Sequence, residues 1–120
     1  MSEPPVDGVV EGYLEAVARG DWERLRSAVA DDVVRIGPFG DVYTGRDDYV
    51  RFLSELMPTL PGYAMAVARV TYVDGGRRAV AELSETVAFD GTPTVTPEVL
   101  LVDLDADRRI TRIEIFTRRA

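Results

Sequence analysis

The chain has 120 residues, a formal net charge of −7, 46% hydrophobic and 29% charged residues, the balance of a single globular domain with one core. It contains no Lys, His, Cys, Asn or Gln, so all 14 of its positive charges are arginines. That excludes an imidazole base, a thiolate nucleophile, a disulfide, a Cys/His zinc site, a Schiff-base lysine and a P-loop, and leaves Asp, Glu, Tyr, Ser, Thr and Arg to carry any chemistry.

In chain order, Val9, Val10, Tyr13, Leu14, Val17 and Ala18 recur at helical spacing between Asp7, a candidate cap, and Gly20, a stop. Asp21 caps a second, short helix carrying Trp22, Leu25 and Val29, which Asp31-Asp32 ends. Val33 to Pro38 is β-rich, and Gly-Pro-Phe-Gly at 37–40 is a turn. Thr44-Gly-Arg-Asp opens a third helix with Tyr49, Phe52, Leu53 and Leu56 inward, and Pro58 and Pro61 stop it.

The period then changes. Tyr63 to Val73, Arg77 to Phe89 and Thr94 to Leu104 read as strands joined by hairpin turns at Asp74-Gly75-Gly76 and Asp90-Gly91-Thr92-Pro93. A last strand runs from Ile110 to Arg118. Helices first and a meander of long strands second predict one α+β domain over 1–120, with helices on one face of a curved sheet and residues 1–6 as a disordered lead-in.

The negative charge argues against a nucleic-acid or anionic-membrane partner. The Arg-rich stretch from Arg108 to Arg119 is interleaved with Asp103, Asp105, Asp107 and Glu114, and reads as a solvated strand face. No apolar run reaches membrane-spanning length and the N-terminus has no apolar core, so a cytoplasmic protein is expected. No calcium-loop spacing is present, and no metal or cofactor is expected.

Two carboxylates fall on apolar strand phases. Glu85 shares its phase with Ala79, Ala81, Leu83, Val87 and Phe89, and Glu98 shares its own with Leu100, Val102 and Leu104. A hairpin turning symmetrically about residues 91 and 92 sets Glu85 directly opposite Glu98, with Cβ atoms roughly 5 Å apart. Such a pair on a buried face either shares a proton or shares a cation. The candidate cation is Arg35, whose forked guanidinium could bridge both carboxylates. The alternative is that strand charges are merely solvated, since one residue of register slip moves Glu98 to the other face and Pro97 can mark a bulge. Tyr13, in the apolar stripe of the first helix, is either a core tyrosine with a bonded hydroxyl or a hydrogen-bond donor to a ligand.

The order of elements and several short strings resemble the nuclear transport factor 2-like superfamily, in particular its SnoaL-like and ketosteroid-isomerase-like branches. The strings are Tyr13-Leu14-Glu15 with Ala18-Arg19-Gly20-Asp21, Ala30-Asp31-Asp32-Val33 before Pro38-Phe39-Gly40, Gly45-Arg46-Asp47-Asp48, and Asp105 with Arg109-Ile110. The resemblance implies a cone: a strongly bent, mostly antiparallel sheet around a long N-terminal helix with two further helices, an internal pocket, and a homodimer made through the sheet's outer face. Tyr13 lies where ketosteroid isomerase has its oxyanion-binding tyrosine. Gly37 and Leu100 stand at the places of its two catalytic aspartates, so the standard isomerase mechanism is not expected. Limonene epoxide hydrolase pairs carboxylates around an arginine; Arg35, Glu85 and Glu98 match that set in residue type but not in position.

The expectation is therefore a pocket for a small apolar oxygenated molecule, with Glu98, Glu85, Tyr13 and Arg35 as the acid/base group and Leu83, Leu100, Phe52, Ile113 and Ile115 lining it. Isomerisation, aldol-type cyclisation and epoxide opening are the reactions in reach. A non-catalytic ligand-binding or dimerisation module of the same fold is the alternative.

Overall fold

A computed structural model describes residues 8–118; the disordered lead-in expected at 1–6, the Asp7 cap and Arg119 lie outside the described residues. Helix α1, Val9–Arg19, buries Val10, Tyr13, Leu14, Ala16 and Val17 on one stripe. It ends at Gly20, whose left-handed backbone (φ 68°) lets its N–H reach the carbonyls of Ala16 and Val17. Helix α2, Trp22–Ala28, is capped as expected: the Asp21 carboxylate accepts from the Arg24 N–H at 3.2 Å.

Strand β1 is longer than the sequence suggests. It runs Val29–Ile36, so Val29 opens the strand instead of closing α2, and Asp31 and Asp32 are exposed strand residues. The cause is tertiary, because Val29 pairs with Ile110 and is fully buried, and a shift of register between Val29 and Val34 absorbs the two aspartates. A three-residue strand β2, Val42–Thr44, pairs back on β1 with Arg35 opposite Tyr43, an element too short to read from pattern. Helix α3, Arg46–Leu56, buries Tyr49, Val50 and Leu53, and a single 3-10 turn at Met57–Thr59 follows.

Strands β3 (Ala64–Val73), β4 (Arg78–Val87), β5 (Thr94–Leu104) and β6 (Ile110–Thr117) complete one six-stranded sheet in the order β2-β1-β6-β5-β4-β3. Among the described residues only β1 and β6 pair in parallel. The sheet is curved and the helices lie on its inner face, the cone-like α+β arrangement expected. Val10, Leu25, Val33, Val102, Ile110 and Ile113 are fully buried between the two layers, and each such side chain contributes about 1.5–3 kcal/mol of transfer energy. Among the described residues no helix is long and apolar enough to cross a membrane.

Candidate functional site

The β4–β5 register decides how the two glutamates meet. Leu83 is opposite Glu98 and Glu85 is opposite Thr96, so the directly opposed pair expected from the hairpin is replaced by a diagonal one. The turn is centred between Asp90 and Gly91, not between Gly91 and Thr92, because those two residues take left-handed backbone angles (φ 57° and 75°). A shift of two residues along the partner strand preserves the face, so both glutamates still point inward with Leu83 and Leu100. Diagonal neighbours remain within reach of side chains as long as glutamate, and Glu98 is hydrogen-bonded to Glu85.

A hydrogen bond between two carboxyls requires a proton on one of them. The Tyr63 hydroxyl also donates to Glu85 Oε2, and Glu98, the carboxyl whose pKa is raised, is the one that holds the proton. Burial first, then the Glu85 hydrogen bond and charge, push Glu98 up to about 9, with Arg35 pulling the other way. Both glutamates and Tyr63 are half-buried, so the pair stands where solvent still reaches it. Burial also drives the Tyr63 hydroxyl well above its ordinary range.

Deeper in the fold, Tyr13 of α1 and Tyr49 of α3 are both buried and share a hydrogen bond of 2.5 Å. Either hydroxyl can donate, and one O–H of the pair stays free for another acceptor. Burial pushes Tyr13 up to about 12 and raises Tyr49 as well, so both remain protonated donors at neutral pH.

Arg35 is inward and 9% exposed, but it bridges neither glutamate. Its Nη1 donates to Asp41 Oδ2 at 2.7 Å, and its guanidinium lies 4.9 Å over the Phe52 ring. Phe52 in turn stacks on Tyr43 with centroids 4.0 Å apart. The expectation of a bridging arginine fails because Asp41, brought back by the tight turn after β1, is nearer. Of the expected lining residues, Leu83, Leu100 and Ile113 belong to the buried core, whereas Phe52 and Ile115 are half-buried at its edge.

Sequence reasoning missed Tyr63, Tyr49 as a polar partner, and Asp41. Tyr63 had a signal, since it precedes Met65 by two residues and Met65 pairs with Glu85 on the inner face. Asp41 had none: its position depends on the closure of the turn, where the Gly37 N–H donates to the Asp41 carbonyl at 2.8 Å. Among the described residues no three carboxylates converge as a metal cluster would require. An open groove of about 620 Å³ touches Leu83 and Glu98 and extends over Ala66, Val99 and Phe116 on the sheet's outer side.

Residues 10–113 match the family profile of the SnoaL-like domain. No curated protein matches the chain. Solved structures similar to it include a candidate ketosteroid isomerase from Kribbella flavida DSM 17836 (TM-score 0.80, 22% identity, 95% of this chain and 78% of that one). A candidate polyketide cyclase from Xanthomonas campestris pv. campestris is also similar (TM-score 0.74, 28% identity, 91% and 87%). So is an LEH-like epoxide hydrolase of M. tuberculosis (TM-score 0.78, 18% identity, 92% and 80%).

Proposed function

Starting from a chain that belongs to the SnoaL-like domain family, we propose that it is an acid/base enzyme acting on a small, mostly apolar molecule with one or two oxygens. The observation that carries this reading is the inward carboxyl pair, in which Glu98 keeps its proton near neutral pH and Glu85 accepts. A protonated acid beside an acceptor carboxylate is what proton-shuttling isomerisation, aldol-type cyclisation and epoxide opening have in common.

With an epoxide, the two carboxyls act as base and acid. Water attacks a ring carbon and gives its proton to Glu85 as the C–O bond breaks, and the Glu98 O–H protonates the departing oxygen. The proton gained by Glu85 then returns to Glu98 along the hydrogen bond joining them. For an enolisable ketone, Glu85 takes the carbon-bound proton and the free hydroxyl of the Tyr13–Tyr49 pair donates to the oxyanion. Arg35 supplies positive charge to the same face.

The experiment is turnover of small alicyclic epoxides, β,γ-unsaturated ketones and linear diketones, followed by chromatography. At least one class is expected to react, with a loss of about 10²–10⁴-fold in Glu98→Gln. Turnover that survives Glu98→Gln unchanged, or no turnover in any class, sinks the reading.

A second reading, a non-catalytic pocket or dimerisation module, is favoured by one observation: Arg35 is engaged by Asp41 and the Phe52 ring, and Phe52 by Tyr43, so these side chains are partnered within the chain itself. The homodimer expected through the outer sheet face belongs to either reading.

A further inference from the structure

We propose that Asp41 is a positioning residue for the carboxyl pair: by holding the Arg35 guanidinium at the β1–β2 turn, it keeps that cation from pairing with Glu85 and Glu98 and so preserves the proton they share. The proposal rests on the acid/base reading of the pair and adds to it the residue that keeps the pair in its working state.

Arg35 is the one buried charged side chain among the described residues. It lies on the inner face, opposite Ile113 of β6, which is itself opposite Val102 of β5, the strand that carries Glu98. The groups whose charge or hydrogen bonding bears on the Glu85–Glu98 pair come from four separate segments. They are Tyr13 from α1, Arg35 from β1, Tyr49 from α3 and Tyr63 from the segment before β3. Three of these four partners are tyrosine hydroxyls, and Arg35 is the cation among them. A guanidinium within 4–6 Å of a carboxyl favours its ionised form by about one to three pH units. An arginine free to turn toward the pair would therefore strip the proton from Glu98 and convert the acid into half of an inert ion pair.

The turn is shaped to prevent this. Arg35 Nη1 donates to Asp41 Oδ2 at 2.7 Å, which directs the guanidinium toward the turn and over Phe52. The Asp41 carboxylate is seated in the space that a side chain at residue 37 would need: a Cβ on Gly37 would fall 2.2 Å from Oδ1 and 2.6 Å from both Cγ and Oδ2. Gly37 is not one of the glycines with positive φ, so glycine is required there for room and not for backbone conformation. Asp41 Oδ1 is buried with no hydrogen-bond partner. A carboxylate choosing its place for its own solvation would not leave an oxygen so, since an unmade bond is costly. The turn and the Arg35 pairing hold it there.

Two substitutions release Arg35 from Asp41 by unrelated routes. Asp41→Asn removes the charge, and Gly37→Ala keeps the charge but occupies its seat. The readout is the titration of Glu98 followed by ¹³C NMR on protein labelled at the glutamate carboxyl carbon, with Glu98→Gln assigning the signal. In the native protein the midpoint is expected near 9. Each variant is expected to lower it by about one to three pH units, and both effects should vanish in an Arg35→Gln background, where no cation is left to release. An unshifted Glu98 in both variants, or a shift that persists without Arg35, overturns the role of Asp41 while leaving the pair's chemistry standing. A native Glu98 that titrates in the ordinary carboxylate range overturns the acid/base reading, and the proposal with it. Should Asp41→Asn fail to fold, Gly37→Ala carries the test alone.

Discussion

Glu98 keeps its proton for a reason that works against the fold. Its pKa is raised by burial and by Glu85 in the folded chain, to about 9, so the folded state binds a proton that the unfolded state gives up. The stability this group contributes is fully present below the ordinary carboxylate range and is lost as pH rises toward 9. Stability should therefore fall between about pH 5 and 9, and Glu98→Gln, which needs no proton, should flatten that slope. At the half-open position of Glu98 the gain at pH 8.5 is about 1–2 kcal/mol after solvent screening, measured as urea midpoints across the pH series. A slope unchanged by the substitution would place the pH dependence elsewhere. The alternation of their strands put both glutamates on apolar phases but left a solvated placement open; the register differs from the expected one by two residues, which leaves each side chain on the same face. Which residue faces which was not legible, and neither was the Asp41 that claims Arg35.

At the scale of elements, the β4–β5 hairpin sets the site because its turn sets the register. Val87 and Thr94 close the paired strands, and Asp90 and Gly91 take positive φ between them. Gly91 has open space around its Cα, so Gly91→Ala isolates backbone strain from packing. The expected cost is about 1–2 kcal/mol, the price of a left-handed residue with a Cβ, read from chemical denaturation. No change in stability would show that the turn relaxes to another conformation. The boundary between α2 and β1 shows the opposite limit. Seven residues of helix and eight of strand meet with no intervening loop, and apolar spacing over so short a run fits either period. Pairing of Val29 with Ile110, a partner 81 positions away, decides the matter.

For the whole molecule, the sheet's two faces divide the labour. The inner face holds the core and the carboxyl pair, while the outer face carries ion pairs such as Arg69–Glu82 and Arg78–Asp103 at 2.8 Å. It also exposes Val95, Val99 and Phe116, at 59%, 37% and 48%. A contiguous apolar surface of this kind is where a second copy would be accommodated. Light scattering at micromolar concentration is expected to give a dimer mass, and Phe116→Asp a monomer; a monomeric native chain would remove the dimer from the proposal. By itself, the sequence determined the α+β class, the principal helices and long strands, the apolar strand phase that Glu85 and Glu98 share, and the absence of every imidazole, thiol and amine side chain. These are local matters, governed by periodicity and composition. Only the tertiary structure decided that the glutamates meet diagonally, that Tyr63 donates to one of them, and that Arg35 is drawn to Asp41. Each depends on register and turn closure, where residues distant along the chain compete for the same hydrogen bond and the nearest partner wins.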